Sequence, residues 1–413
     1  MRRALSAFDV TCIGLNAIVG SGIYLFPGKL AAALGPASTL AWVVTGLLCL
    51  PLAFSFAALG AHEDRTGGPF RYTELAFGVR PAFVVGWCAW VTSAVSWAAV
   101  ASGLPSYLGS FVPALGAGAP ALLVSGLVIL ALGALNVRGV KLGARVTNAL
   151  TIGKLVPLAL FVGVGLFLVK PERFAPFAPQ GLGAMPALAL MTMFAYQGFE
   201  VVGVPVGEVR DPRRLVPRAV VASILLSALL YVLVQVVFVG VGARASAAPL
   251  PDAAALILGG AGSTLLALGG LVSMLGFNAG TALCAPRYLQ ALAEERLLPP
   301  QLALVHSRFG TPAAAVIATT LVTLLLMLLL DFDGLVDLAV LAVLVQYLAT
   351  SAALVRLGRS PGLKLLGGVS VLVSIGFGFG CEARQFAYFG LLAAAGILLA
   401  LGTRWSLSRS PPG

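Results

Sequence analysis

Long apolar runs joined by short polar connections recur along the whole chain. Measured against the roughly 20 residues needed to cross the hydrocarbon of a bilayer, runs of spanning length fall near 8–34, 37–61, 82–112, 119–137, 146–169 and 183–208. They continue near 216–243, 262–293, 312–330, 334–356, 363–380 and 385–403. This pattern predicts an all-α polytopic membrane protein with about twelve transmembrane helices. The third and eighth segments are long enough to tilt or to extend beyond the bilayer. The longest polar connection, from about His62 to Arg80, is too short for a separate soluble domain, so residues 1–413 read as a single transmembrane unit.

Two segments carry interruptions that a plain span would avoid. Segment one holds Ile18-Val19-Gly20-Ser21-Gly22-Ile23, and segment six holds Phe194-Ala195-Tyr196-Gln197-Gly198-Phe199-Glu200. Each glycine disfavours helix by about 1 kcal/mol, and unwound backbone at membrane depth persists only where protein or a water-filled cavity covers it. With 49 glycines in the chain, one such pair would suggest only close helix packing. Matched breaks in segments one and six are the pattern of two inverted five-helix repeats, here 8–169 and 183–356, leaving 363–403 as two accessory helices. Gly20, Gly22 and Gly198 are the expected helix breaks. Such breaks expose N–H groups of one half-helix close to C=O groups of another, the spacing needed by the carboxylate and ammonium of an α-amino acid.

Composition sharpens this picture. The chain is 59% hydrophobic and only 10% charged, with a mean hydropathy of +1.01, which excludes a soluble enzyme, a disordered linker and a disulfide scaffold. The +11 charge, from 26 Lys+Arg against 15 Asp+Glu, would suggest nucleic-acid binding in a soluble protein. Here twenty of the basic residues fall in even-numbered connections and at the termini, five fall on the other side, and Lys154 remains in the membrane. That bias predicts a multi-pass protein of the cytoplasmic (inner) membrane with both termini cytoplasmic, and it leaves nucleic acid without support. The five scattered cysteines and two distant histidines predict neither a metal site nor a cofactor. Met1-Arg2-Arg3 with the following apolar run imitates a secretory signal, but the run is too long for an h-region and reads as a broken first helix.

Gly20-Ser21-Gly22-Ile23-Tyr24 with Phe26-Pro27-Gly28 resembles the first-helix motif of the amino acid/polyamine/organocation transporter superfamily. Phe194 to Glu200, followed by Gly207 to Ala219, resembles its sixth-helix motif and loop. A third match runs through Ala285-Pro286-Arg287, Ala293 to Pro299, and Phe309-Gly310-Thr311-Pro312. The resemblance spans the chain in order and implies a LeuT-type fold with discontinuous helices 1 and 6. It implies that the substrate carboxylate meets the N–H groups of Ser21 and Gly22 with the Ser21 hydroxyl. The ammonium would meet carbonyls near Ile18, Phe194 and Gln197, beside Gly198, and Phe194 would be an aromatic gate. Thr92, Ser93, Ser96, Trp97, Asn278 and Thr281 are candidates either for side-chain selectivity or for plain packing.

Two ionisable side chains sit well inside predicted spans, where a charge costs about 2.5–3.5 kcal/mol on insertion scales. Lys154 resembles the fifth-helix lysine that stands where sodium-coupled relatives bind sodium. Its ammonium is expected on a carbonyl of the Gly20 region, either as a reversible proton carrier or as a static strut. Glu200 is either a second protonation site or an organiser of the unwound turn. Glu208 is expected to pair with Arg210 or another loop arginine as an inner gate, and Asp331, Asp333 and Asp337 to form a solvated outside turn.

The expected activity is alternating-access transport of L-amino acids, neutral or hydrophobic, by proton coupling or sodium-independent exchange. The partners are then a small amino acid, protons and the lipid bilayer; oligomeric state leaves no trace in the sequence. A cationic amino acid or polyamine permease or antiporter is the alternative, as is a non-transporting sensor that keeps the fold. An intramembrane enzyme would need a motif such as H-E-x-x-H or G-x-S-x-G, and the sequence has neither.

Overall fold

The computed structural model describes residues 4–409 except Asp64, Ser110, Ala247, Asp331 and Glu382, and the side chains of Ser106, 140–142, 332–333, 336–337 and 403–409 are outside that description. Of the residues weighed above, Met1, Arg2, Arg3 and Asp331 therefore lie outside the described residues, as do the side chains of Lys141, Asp333, Asp337, Arg404 and Arg409.

Helices dominate, and no strand forms among the described residues beyond one isolated bridge between Leu5 and Val209. The first apolar run is two half-helices, α1 (Ala7–Ile18) and α2 (Gly22–Leu34), followed by α3 (Ser38–Gly60). Ser6 and Asp9 form a reciprocal capping box that starts α1. The next elements are α4 (Pro69–Phe77), α5 (Val79–Leu108), α6 (Gly118–Val137) and α7 (Val140–Gly165). The sixth run is α8 (Met185–Tyr196), which ends at the break and continues as two short 3-10 turns, Phe199–Gly203 and Val206–Glu208. Then follow α9 (Pro212–Gly240), α10 (Pro249–Glu294), α11 (Ala313–Leu329), α12 (Phe332–Leu357), α13 (Pro361–Gly378) and α14 (Ala383–Arg409).

Ten helical stretches among the described residues are long and apolar enough to span a membrane. The first of them, Ala7–Gly60, contains both the broken helix and α3, and the 17-residue α11 completes the set of twelve crossings. The outward faces are apolar, with Leu123, Leu127, Leu229, Leu365, Leu372 and Leu398 all exposed, as a lipid environment demands.

The connection from His62 to Arg80 carries the short α4, started by Pro69 at its first turn and packed on α5 and α12. Two expectations need correction. The eighth segment begins earlier than 262: α10 starts at Pro249 and kinks at Gly259, whose φ of 62° interrupts the helical backbone. The acidic turn at 331–337 is largely helix, since α12 opens at Phe332 and takes in positions 333 and 337.

Packing places the two broken helices at the centre. α1 lies against α9 and α7, α10 packs along both α7 and α5, and α12 packs against α5 and α13.

Candidate functional site

The two breaks touch each other. Backbone leaves the helix at Gln197, which is extended, and turns at Gly198 with φ 126°, a conformation that favours glycine. A Cβ built on Gly198 would lie 2.4 Å from the carbonyl carbon of Ala17, so the main chain of one break sits directly on the main chain of the other. Gly22 is equally close to its neighbour, with a hypothetical Cβ 2.7 Å from Cβ of Ala195.

Tyr231 of α9 ties the pair together. Its hydroxyl lies 2.7 Å from the Ile18 carbonyl oxygen and 2.9 Å from that of Ala195, one carbonyl from each break. The Gly20 N–H also donates to Ile18 at 2.9 Å. Ile18 lines the cavity, and its carbonyl accepts from the Gly20 N–H while sharing the single Tyr231 hydroxyl proton with Ala195.

Around the breaks lies a cavity lined on one side by Ile18, Gly20, Ser21 and Gly22 and on another by Phe194, Gln197, Gly198 and Glu200. α5 contributes Thr92, Ser93, Ser96 and Val100, and α10 contributes Phe277, Gly280, Thr281 and Cys284. The α2 N-terminus at Ser21 has no side-chain cap, so its leading N–H groups are open to an anion. Phe194 stands near Phe26, their ring centroids 6.4 Å apart. Gln197 lines the cavity, and its Nε2 has no partner among the described residues.

Trp97 and Asn278 do not join this lining. Positions 92, 96 and 100 recur every fourth residue along α5, and 277, 281 and 284 follow at spacings of four and three on α10. Trp97 and Asn278 are fully buried beside that lining without being part of it.

Lys154 of α7 is fully buried and fills the carbonyl end of α1. Its ammonium donates to the carbonyl of Asn16 at 2.8 Å and to that of Val19. The Gly20 carbonyl is instead within reach of the Ser273 hydroxyl at 3.1 Å. Ser273 and Tyr231 are polar residues inside apolar runs, and that isolation was the available signal for them. On the other break, one carboxylate oxygen of Glu200 accepts from the Gly198 N–H at 2.9 Å and from the Tyr347 hydroxyl at 3.0 Å. Tyr347 in turn stacks on Phe199 at 5.2 Å.

At the end of the bundle that carries the N-terminus, Glu208 pairs with Arg287 of α10 at 3.1 Å, each side chain 1% exposed. This corrects the expected partner. Arg210 is exposed, with its N–H bonded to the Leu5 carbonyl, whereas the Glu208 side chain points into the bundle. Leu5 also donates to the Glu208 carbonyl, so the N-terminal strand segment covers the same spot.

A second buried network lies nearby. Arg71 of α4 is 2% exposed and contacts Glu74, Glu294 and Glu295 at 2.9, 3.0 and 2.6 Å. Burial alone would push its guanidinium down, but the hydrogen bonds to Glu295 and Glu74 hold it above its ordinary value. These contacts fasten α4 to the end of α10.

Comparison with known proteins gives one family model across residues 5–401, described as amino acid permease. Among individual proteins, the chain is 28% identical over 402 residues to the branched-chain amino acid permease of Bacillus subtilis (strain 168), covering 90% of this chain and 86% of that one. It is 28% identical over 378 residues to the serine/threonine exchanger of the same organism, covering 88% and 85%. It is also 30% identical over 387 residues to cationic amino acid transporter 4 of Homo sapiens, covering 87% and 61%.

Proposed function

Because the chain belongs to the amino acid permease family, a family of transporters rather than enzymes, we propose that it moves neutral or hydrophobic L-amino acids by alternating access, with protons or sodium-independent exchange as the driving term. The observation that carries this reading is the cavity in which two helix breaks meet, an uncapped helix start on one wall and a lysine-filled carbonyl end behind it.

In this reading the substrate carboxylate binds the N–H groups of Ser21 and Gly22. The ammonium binds carbonyls near Ile18, Phe194 and Gln197, the Ile18 oxygen being shared with the Gly20 N–H. Lys154 places its ammonium on the carbonyls of Asn16 and Val19, a place a bound cation would otherwise fill, and its proton is the exchangeable one. Glu200 organises the unwound turn through Gly198 and Tyr347. Glu200 is the one carboxylate among the described residues lining the cavity, and one of its oxygens is committed to those donors, which favours an uncharged side chain over the cationic alternative.

Phe194 closes the cavity on one side, and Glu208 with Arg287 closes the other. The basic bias places the termini and the Glu208–Arg287 end in the cytoplasm. The bundle that holds the two broken helices rocks about the site to exchange access.

Uptake of radiolabelled amino acids into proteoliposomes, with and without an imposed proton gradient, tests the reading. Saturable uptake or counterflow of a neutral amino acid is expected. Preferred uptake of arginine, lysine or a polyamine would select the cationic alternative, and binding without flux would select a sensor.

A further inference from the structure

Outside the central cavity, a groove lies between α6 and α11. Gly133 creates it: a Cβ there would lie 2.4 Å from Oγ1 of Thr320, so the two helices approach closely at that point. The Thr320 hydroxyl is already satisfied by the Val316 carbonyl of its own helix. Gly133 and Ala134 leave a low floor, and Leu130, Ile317 and Leu321 stand as walls that are 45 to 56% exposed. From Leu130 to Val137 the groove runs about 10 Å along the helix. Apart from Thr320, the helical part of its lining is wholly apolar.

The groove ends in cations. Arg138 lines it just beyond α6, and Phe309 closes it from the loop before α11. The Arg308 guanidinium lies over the Phe309 ring at 5.5 Å, and the His306 ring lies 4.8 Å from it. This end is pinned, because the Thr311 hydroxyl donates to the Val137 carbonyl at 2.8 Å. Arg138 and Arg308 are exposed, and among the described residues neither forms an ion pair. The negative end of the α6 dipole favours a cation at Arg138, but it gives no reason for Arg308 in the loop. By alternation of the spans, this end lies on the same face as the N-terminus, where the anionic leaflet is expected.

We propose that this groove is a binding site for an anionic phospholipid, one acyl chain lying over Gly133 and Ala134 and the phosphate between Arg138 and Arg308. Charge complementarity selects the occupant: an apolar slot closed by two unpaired guanidinium groups fits a lipid phosphate and rejects a plain apolar partner helix.

Native mass spectrometry of the full chain, extracted from vesicles of phosphatidylglycerol and phosphatidylcholine in equal amounts, tests this. Wild-type protein is expected to retain phosphatidylglycerol in preference to phosphatidylcholine. The double variant R138Q/R308Q is expected to lose that preference by about thirtyfold, the contribution of two basic residues at an anionic surface. A134F, which fills the slot and keeps both arginines, is expected to lower retention as well, while millimolar inorganic phosphate leaves it unchanged. Equal retention of the two lipids by the wild type, unchanged preference in R138Q/R308Q, unchanged retention in A134F, displacement by inorganic phosphate, or a second protein mass in place of lipid would each overturn the proposal.

Discussion

Glu208 and Arg287 form an ion pair 3.1 Å long in which neither side chain is more than 1% exposed. The pair joins the turn that follows the broken sixth span to the C-terminal part of α10, one helical turn beyond Cys284 in the cavity wall. A buried pair is weak evidence of net stability, but removing one partner leaves the other charge uncompensated at a cost of about 3–5 kcal/mol. The joint between these two segments therefore depends on both residues being present.

Glu208→Gln should open this joint. Alkylation of Cys284 by a membrane-impermeant maleimide, followed by mass spectrometry in inside-out vesicles, should accelerate on the order of tenfold or more. The charge-swapped double variant Glu208→Arg/Arg287→Glu should restore protection. Equal labelling of Cys284 in wild type and Glu208→Gln would remove the pair from a gating role.

Lys154→Ala should abolish proton-driven accumulation while leaving counterflow measurable. Lys154→Arg separates coupling from shape: arginine keeps a donor on the Asn16 and Val19 carbonyls but holds its proton throughout the accessible pH range. It should exchange substrate at a rate that no longer varies with pH between about 5 and 8, the range in which a coupled carrier titrates. Undiminished proton-driven uptake in either variant would assign the coupling elsewhere.

The span pattern and the two breaks were legible because glycine, serine and a carboxylate stand out against long apolar runs, as Gly20-Ser21-Gly22 and Gly198-Phe199-Glu200 do. The partners of those residues were not. Arg287 lies near the end of the apolar run 262–293, and nothing in a linear scan shows that the Glu208 carboxylate makes its burial possible. Arg71 was hidden in the same way, because a charge neutralised by three glutamates looks like loop in a linear scan. Tyr231 reaches both breaks from a helix remote in sequence, a relation that only the tertiary fold provides.

Gly198→Ala should unfold or misassemble the site. The alanine would need a φ of 126°, and its Cβ would overlap the Ala17 main chain, which cannot withdraw as a flexible side-chain tip can. Backbone strain alone costs about 1–3 kcal/mol. Thermal unfolding in detergent should show a clear drop in midpoint and loss of substrate-induced stabilisation. Gly183→Ala, where an added Cβ meets nothing within 4 Å, is the matched control. A Gly198→Ala protein as stable and as responsive as that control would mean that the two breaks do not press together as described.

Selectivity should map to the faces of α5 and α10 that line the cavity and not to their neighbours one position on. Ser96→Val adds apolar bulk to the cavity wall, and Thr281→Val replaces a hydroxyl with a methyl of similar size. Because one methylene in a closed pocket is worth about 1–3 kcal/mol, Ser96→Val should shift the ratio of kcat/KM for alanine over leucine by about tenfold or more in favour of alanine. Thr281→Val should act chiefly on serine and threonine if its hydroxyl meets a polar side chain. Trp97→Phe and Asn278→Ala change residues that are more deeply buried and do not line the cavity. These two should lower thermal stability and leave the selectivity ratios unchanged. Competition assays with a panel of L-amino acids in proteoliposomes decide the matter: a selectivity change in Trp97→Phe or Asn278→Ala, with none in Ser96→Val, would place the side-chain subsite on a different face of these helices.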